Sequence, residues 1–365
     1  MRDLKIALIG CGRIGFLLEN DSLRQKPCTH YGGARAAGLR INYACDINTE
    51  RLYKFAKSAN IKEENCFIDY RELILSVKPD LVIIGTWTDS HADIGIFASN
   101  NDARTIVCEK PIASNLIQAK RLIEECAKHN VALIINHERR YETRYRNVKR
   151  LLSEGKIGDI KTVNASILTS PYRGNSNIGE GGGPLLHDGT HMIDIIRYFF
   201  GEIKSALGEI DRDNRDCGFE DRATAWLKTE RGIDIFLEAG GSRDYFVFEL
   251  NISGTKGKIV IGNGYERIYI NRKSRLYSGF RDLSEKPFSK TKGINYFKRE
   301  YLEVKKTLNR NNIEITSSGL DGYKAMEAIH AIYLSSYLNS KRMELPIRPE
   351  TNIKKIFNLP DHPDM

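Results

Sequence analysis

The chain has 365 residues, 41% hydrophobic and 28% charged, and a formal net charge of +9. That is long for one domain, comfortable for two, and ordinary for a soluble globular protein. No apolar run approaches the ~18 residues of a membrane helix, the N-terminal apolar stretch is too short for a signal peptide, and the seven cysteines are scattered without a C-x-x-C pair.

A cytoplasmic protein with reduced thiols is therefore expected. Basic residues cluster at Arg139–Arg150 and across Arg267–Arg310. No nucleic-acid motif accompanies them, so neither nucleic acid nor membrane is expected as a partner.

Ile6–Ile9 is a short apolar run, the pattern of a strand buried on both faces. It leads into Gly10-x-Gly12-x-x-Gly15, with a helix expected from Arg13. Gly10 permits a tight turn, Gly12 lets a pyrophosphate approach the backbone, and Gly15 allows helix and strand to pack closely. Gly10, Gly12, Arg13, Ile14 and Gly15 are thus candidate dinucleotide contacts. Ile41–Cys45 reads as the second strand, and Asp46 stands at its end to accept ribose hydroxyls and repel a 2′-phosphate, which favours NAD over NADP. From Gly15 to Asp46 is 31 residues, where the fingerprint expects roughly 20. The surplus falls near Asn20–Tyr31, a polar loop whose His30 or Arg24 could reach a substrate or simply lie on the surface.

A helix follows at Thr49–Ser58 with Asn48 or Thr49 as cap. Leu81–Gly85 is the next buried strand, and Thr86–His91 lies at its C-terminal end, where doubly wound sheets bind ligands. Thr105–Cys108 is another strand, ending in Glu109-Lys110-Pro111. Leu116–His129 is an amphipathic helix, and Val131–Ile135 is the last strand of this region. This alternation to about residue 136 marks a parallel sheet. Asn136–Tyr141 then lines a cleft or carries the chain onward.

Beyond it the character changes. Tyr141–Ser153 reads as a basic helix, Lys161–Thr169 as a strand, residues 170–184 as a loop and Leu185–Phe199 as a helix. From Ala206 to about Asn271 strands follow one another across glycine turns, which suggests an antiparallel sheet with one helical face. Arg272–Lys292 is polar and poorly patterned, and Ser318–Asn339 is a long helix. The expected division is 1–136, 137–345 and a tail 346–365.

Within Gly181–Asp194, His187 and His191 are spaced i,i+4 and Asp188 and His191 i,i+3 on a helix. That suits a histidine acid/base oriented by a neighbouring acid. His-x-x-x-His is also a ligand spacing, but no Cys or Glu completes a set nearby, so no metal is expected.

In this order, the motifs at Gly10–Gly15, Asp46, Thr86–His91, Glu109–Pro111, Arg140–Tyr141 and Gly181–Asp194 resemble the Gfo/Idh/MocA oxidoreductases, over nearly the whole chain. The resemblance implies an α/β protein with an N-terminal Rossmann domain and a C-terminal α+β domain. The latter's open, mainly antiparallel mixed sheet commonly forms the contact of a homodimer or homotetramer. It implies oxidation or reduction of sugar, polyol or nucleotide-sugar carbinols with NAD(P). Thr86, His91, Glu109 and Lys110 would join the cofactor contacts. Lys110 would also bind substrate and help move the proton, with His191 as acid/base and Arg140, Tyr141, His187 and His30 as further substrate contacts. The family also allows a redox-neutral cycle on bound NAD, for hydrolysis or elimination, and a non-catalytic dinucleotide sensor is a third reading. Many members place aspartate four residues before the histidine. Here His187 holds that place and Asp188 is displaced by one, so either can orient His191. Trp87 stands where many members have proline.

Overall fold

The computed structural model describes residues 4–169, 183–212, 219–241, 243–288, 293–309 and 313–350. The chain forms two compact units, Met1–Glu142 with Gly293–Tyr323, and Thr143–Lys292 with Lys324–Met365.

The first unit is built on a six-stranded sheet. Its elements in chain order are β1 (Ile6–Ile9), α1 (His30–Ala36), β2 (Tyr43–Cys45), α2 (Thr49–Ala59), β3 (Cys66–Phe67), α3 (Tyr70–Val77), β4 (Leu81–Ile84), α4 (Thr88–Ser99), β5 (Thr105–Cys108), α5 (Leu116–Lys128) and β6 (Ala132–Ile135). The spatial order is β3-β2-β1-β4-β5-β6, every neighbouring pair parallel. Every residue of β1, β4 and β5 is buried, as continuous apolar strands covered on both faces must be. The order reverses at β1, so the C-terminal ends of β1 and β4 flank the switch point where such sheets bind ligands.

The helix expected from Arg13 does not form as one piece. Phe16 N–H bonds to Gly12 O, but Leu17 and Leu18 reach back five residues, to Gly12 and Arg13, and Leu17–Asn20 tightens into a 3-10 turn. Asn20, Asp21 and Ser22 favour caps and turns over helix interiors, and Pro27 could not continue a helix. The chain makes an excursion and returns, with His30 N–H on Ile14 O and Tyr31 N–H on Gly15 O. The Glu19 carboxylate pins its neck, accepting from Cys28 N–H at 3.1 Å and the Thr29 hydroxyl at 2.8 Å. Helix α1 starts there, with Thr29 as cap.

The second unit runs α6 (Thr143–Ser153), β7 (Ile160–Leu168), α7 (Pro184–His187), α8 (Gly189–Phe200), β8 (Ile203–Asp211), β9 (Arg222–Thr229), β10 (Asp234–Gly240), β11 (Val247–Gly254), β12 (Gly257–Gly262), β13 (Tyr265–Lys273) and β14 (Arg281–Lys286). The chain then supplies α9 (Tyr296–Leu308) to the first unit, α10 (Gly319–Tyr337) to both, and β15 (Met343–Glu344) to the second. The nine-stranded sheet has the order β14-β13-β12-β11-β7-β10-β9-β8-β15. Among the described residues only β7 and β10 of this sheet pair in parallel, with Leu237 opposite Ala165. Burial alternates along β9, where Ala223, Ala225 and Leu227 face inward, as expected of a sheet covered on one side.

Three expectations need correction. The polar stretch after Asn271 contains β14, paired with β13; its side chains are exposed or half-buried, so no apolar alternation betrays it. The expected single helix over Leu185–Phe199 is two, broken at Asp188, with Gly189 weakening continuity and His191 N–H bonding only three residues back to Asp188 O. Helix α9 was not foreseen, although Phe297, Tyr301, Val304 and Leu308 carry a helical apolar stripe and are all buried. With this segment both units are discontinuous in sequence.

Candidate active site

The glycine turn follows from backbone geometry. Gly10 has φ +94°, and a Cβ there would sit 2.6 Å from the Gly85 carbonyl. A Cβ on Gly15 would strike the Gly10 carbonyl oxygen, so strand and turn pack as closely as the spacing predicted. Near Gly12 a Cβ would meet only Arg51 Nη1, at 3.8 Å. That position leaves a cradle for an approaching phosphate group. Asp46 closes it: its carboxylate accepts from Cys11 N–H at 2.8 Å and from Asn48 N–H at 2.8 Å. Arg51, one turn into α2, lies 3.6 Å from Asp46, close enough for its charge to offset the carboxylate's.

The second cluster lies at the end of β5. Glu109 is buried, and its carboxylate gathers donors. His30 Nε2 lies 3.0 Å from Oε1, the Asn136 amide donates to the same oxygen, and Lys110 N–H lies 3.2 Å from Oε2. Burial alone would raise this acid, but the His30 hydrogen bond and charge, the Lys110 charge and the Asn136 hydrogen bond outweigh it and hold it at about 2. His91 sits beneath the same turn, buried, with Nδ1 2.8 Å from the Pro111 carbonyl and Nε2 3.1 Å from that of Thr86. Burial lowers its pKa, against the two carbonyl contacts, which favour hydrogens on the ring nitrogens because a carbonyl oxygen can only accept. His91 therefore braces the Glu109–Pro111 turn from inside. The Thr86 hydroxyl is 2.7 Å from that of Ser90.

Three expected substrate contacts are instead turned to interior partners. His30 is fully buried between Glu109 and Tyr301, whose hydroxyl lies 2.8 Å from Nδ1. Arg140 is buried, donating to Thr316 O at 2.8 Å and pairing with Asp321 at 2.9 Å. Tyr141 is buried, with its hydroxyl 2.9 Å from Glu303. The cause is common: the returning segment Gly293–Tyr323 folds against these residues.

In the second unit, His187 and Asp188 are half-buried and adjacent, with Nδ1 to Oδ1 at 3.2 Å. His191, half-buried, begins the first full turn of α8. The break at Asp188 interrupts the regular helix between His187 and His191. The neighbouring Gly181 and Gly182 lie outside the described residues. Glu220 underlies this stretch. It is buried and accepts from Leu185 N–H at 2.8 Å and the Tyr333 hydroxyl at 3.1 Å. A Cβ on Gly183 would collide with its carboxylate. Burial dominates here, and Glu220 is pushed up to about 7.

Sequence reasoning missed Tyr301, Glu303 and Glu220. The apolar stripe of α9 would have found the first. Nothing local marks Glu220, whose role depends on contacts with Leu185 and Tyr333, remote in the chain.

The profile described as "Oxidoreductase family, NAD-binding Rossmann fold" matches residues 4–137, and that of the GFO/IDH/MocA C-terminal domain matches residues 145–260. The D-apiose dehydrogenase of Rhizobium rhizogenes is 27% identical over 273 residues, covering 73% of this chain and 75% of that protein. The myo-inositol 2-dehydrogenase of Thermotoga maritima is 24% identical, covering 84% of this chain and 88% of its own. Among solved structures, the WlbA dehydrogenase from Bordetella pertussis, in complex with NADH and UDP-GlcNAcA, superposes with a TM-score of 0.76. It is 20% identical, over 95% of this chain and all of that one, and shows a shared fold. No helix among the described residues is long and apolar enough to cross a membrane.

Proposed function

The chain belongs to the GFO/IDH/MocA oxidoreductase family, and from that premise we propose that it is an NAD-dependent dehydrogenase acting on a carbinol of a sugar, polyol or nucleotide sugar. The observation that carries this reading is the grouping, at the C-terminal ends of β1, β2 and β5, of the Gly12 cradle, the Asp46 carboxylate and the braced Glu109–Pro111 turn. Gly10, Gly12, Arg13, Ile14 and Gly15 would hold the pyrophosphate, Asp46 the adenosine ribose, and Thr86 and Lys110 the nicotinamide end. Glu109 and His91 support that end from the interior. The bound nicotinamide supplies the redox chemistry by accepting or returning hydride.

Lys110 binds the substrate hydroxyl and stabilises the oxygen as its proton leaves. His191 takes that proton in the oxidation direction and returns it in reduction. His187 and Asp188, hydrogen-bonded to each other, present one polar unit beside it. NAD is preferred because Asp46 opposes a 2′-phosphate, and because the adjacent Arg51 charge is engaged by that carboxylate. A homodimer or homotetramer through the second unit's sheet belongs to the same reading, in keeping with exposed Phe236 and Tyr265 on β10 and β13.

The test is to follow NADH absorbance with the full-length protein over a panel of polyols, aldoses and nucleotide sugars, with NAD and NADP in parallel. NAD reduction on at least one of these substrates is expected, with kcat/KM about tenfold or more above that with NADP, the scale of about 1.4 kcal/mol in transition-state binding. No reduction across the panel would overturn the activity, and equal or better turnover with NADP would overturn the cofactor preference.

A further inference from the structure

His30 arrives at Glu109 because the chain makes its long excursion between Ile14 and His30 and returns on backbone hydrogen bonds to Ile14 and Gly15. Tyr301 arrives because α9 packs against α1, its ring so close to Gly33 that a Cβ there would sit 2.8 Å from Cδ2. Two parts of the chain remote in sequence thus converge behind one carboxylate.

The hydrogen-bond directions follow from what each group can do. Glu109, held at about 2, is a carboxylate at neutral pH and can only accept, so His30 Nε2 carries the hydrogen that points at Oε1. Tyr301 is held well above its ordinary pKa by burial and by Glu300 and Glu109, so its hydroxyl keeps its proton. His30 Nδ1 lies 2.8 Å away and accepts it. Reversing the order would give Nδ1 the hydrogen and leave the buried hydroxyl proton without its acceptor, at a cost of about 1–3 kcal/mol. The Nε2–H thus points to Glu109, and the Tyr301 hydroxyl points to Nδ1 when that nitrogen carries no hydrogen.

We propose that His30 and Tyr301 are positioning residues, a hydrogen-bonded relay that fixes the Glu109 carboxylate and, through it, the Lys110 turn. The relay acts at the remaining oxygen, where Lys110 N–H meets Oε2. Rotation of the carboxylate would break that contact together with the Asn136 and His30 bonds on Oε1. The groups facing Glu109 are His30 from α1, His91 from α4, Cys108 of β5, Tyr301 and Glu300 from α9, Asn136 and Glu138 after β6, and Lys110 itself. Of these, His30 and Asn136 donate to the carboxylate by their side chains and Lys110 supplies the charge. The extra length of the Asn20–Tyr31 segment is thereby explained: it delivers a donor to the interior face of the lysine turn.

The catalytic half of this inference rests on the dehydrogenase reading; the relay itself does not. Long-range ¹H–¹⁵N spectra of the full-length protein with NAD bound, with His30 assigned by comparison with His30→Gln, should show a His30 ring that carries a hydrogen at Nε2. A ring without a hydrogen at Nε2 would overturn the relay whether or not the protein turns over a sugar. On a substrate found by the panel, His30→Leu should lower kcat about 10–100-fold, the scale of a misplaced reacting group. KM for NAD should change little, and the acid limb of the kcat–pH profile should move upward as Glu109 loses a donor. His30→Gln, whose amide restores an N–H toward Glu109, should recover most of kcat and the original profile. Tyr301→Phe should lose less, about 3–10-fold, because it removes a bond one step further from the turn. Loss of thermal stability alone in these variants, with kcat and its pH profile unchanged, would overturn the positioning role.

Discussion

Two buried glutamates, one in each unit, have been driven in opposite directions. Glu109 is held at about 2 and Glu220 at about 7, from the same ordinary value of 4.5. Burial raises both. Glu109 meets His30 and Asn136 donors and a lysine, so the charged form wins. Glu220 has two donors, both on Oε1, while Oε2 has no hydrogen-bond partner among the described residues. Donor count and distribution decide the outcome once depth is equal. Each acid also supports a residue proposed to handle the substrate proton: Glu109 precedes Lys110, and Glu220 anchors Leu185, at the start of the turn leading to His187 and His191.

The largest expected effect comes from those dependents. Lys110→Ala and His191→Ala should each lower kcat by about 10²–10⁴, the usual contribution of a general acid/base, with NAD affinity in a fluorescence titration nearly unchanged. Losses in the double variant should fall well short of the product of the singles if both act on one hydroxyl. Lys110→Ala also sharpens the comparison: Glu109 should rise from about 2, while Glu220, in the other unit, should keep its value. Near wild-type kcat in His191→Ala would sink the proton-handling role.

How much of this was legible in the sequence differs between the units. The first announced itself, because a parallel sheet buried on both faces writes continuous apolar runs and its glycine turn needs glycine for steric reasons. Asp46 followed from its place at a strand end. Less legible was which interior partners the polar side chains meet. His30, Arg140 and Tyr141 looked like ligand contacts because they flank the strand ends, but the returning segment Gly293–Tyr323 supplies Tyr301, Asp321 and Glu303 to meet them. Sequence distance hides such pairings. The helix break at Asp188-Gly189 was missed for a local reason, since a glycine inside an expected helix could have warned of it.

The next effect in size is on stability, and its sign should differ between the two glutamates. Glu109 is depressed, so its contribution is complete above about 4.5 and is lost as pH falls toward 2. Glu220 is raised, so its contribution is complete below about 4.5 and is lost as pH rises through 7. Glu109→Gln should therefore destabilise the protein at pH 7 to 8, and Glu220→Gln should stabilise it at pH 8, each by about 1–3 kcal/mol. Urea midpoints between pH 4 and 8 read both. A shift of the same sign for the two variants at pH 8 would break the comparison.

The smallest effect isolates one hydrogen bond. The Tyr333 hydroxyl donates to Glu220 Oε1 at 3.1 Å, beside the Leu185 N–H on the same oxygen. Tyr333→Phe keeps the ring and removes that donor, so Glu220 should move further above 7 and the stability loss should be about 0.5–1.5 kcal/mol. The loss should grow from pH 5 to pH 8, because an ionised carboxylate needs the donor more than a protonated acid that can itself donate. In a Glu220→Gln background that growth should vanish, since no charge is left to stabilise. Equal losses at pH 5 and pH 8 in both backgrounds would mean that the Tyr333 hydroxyl does not tune Glu220, and that burial alone holds this acid high.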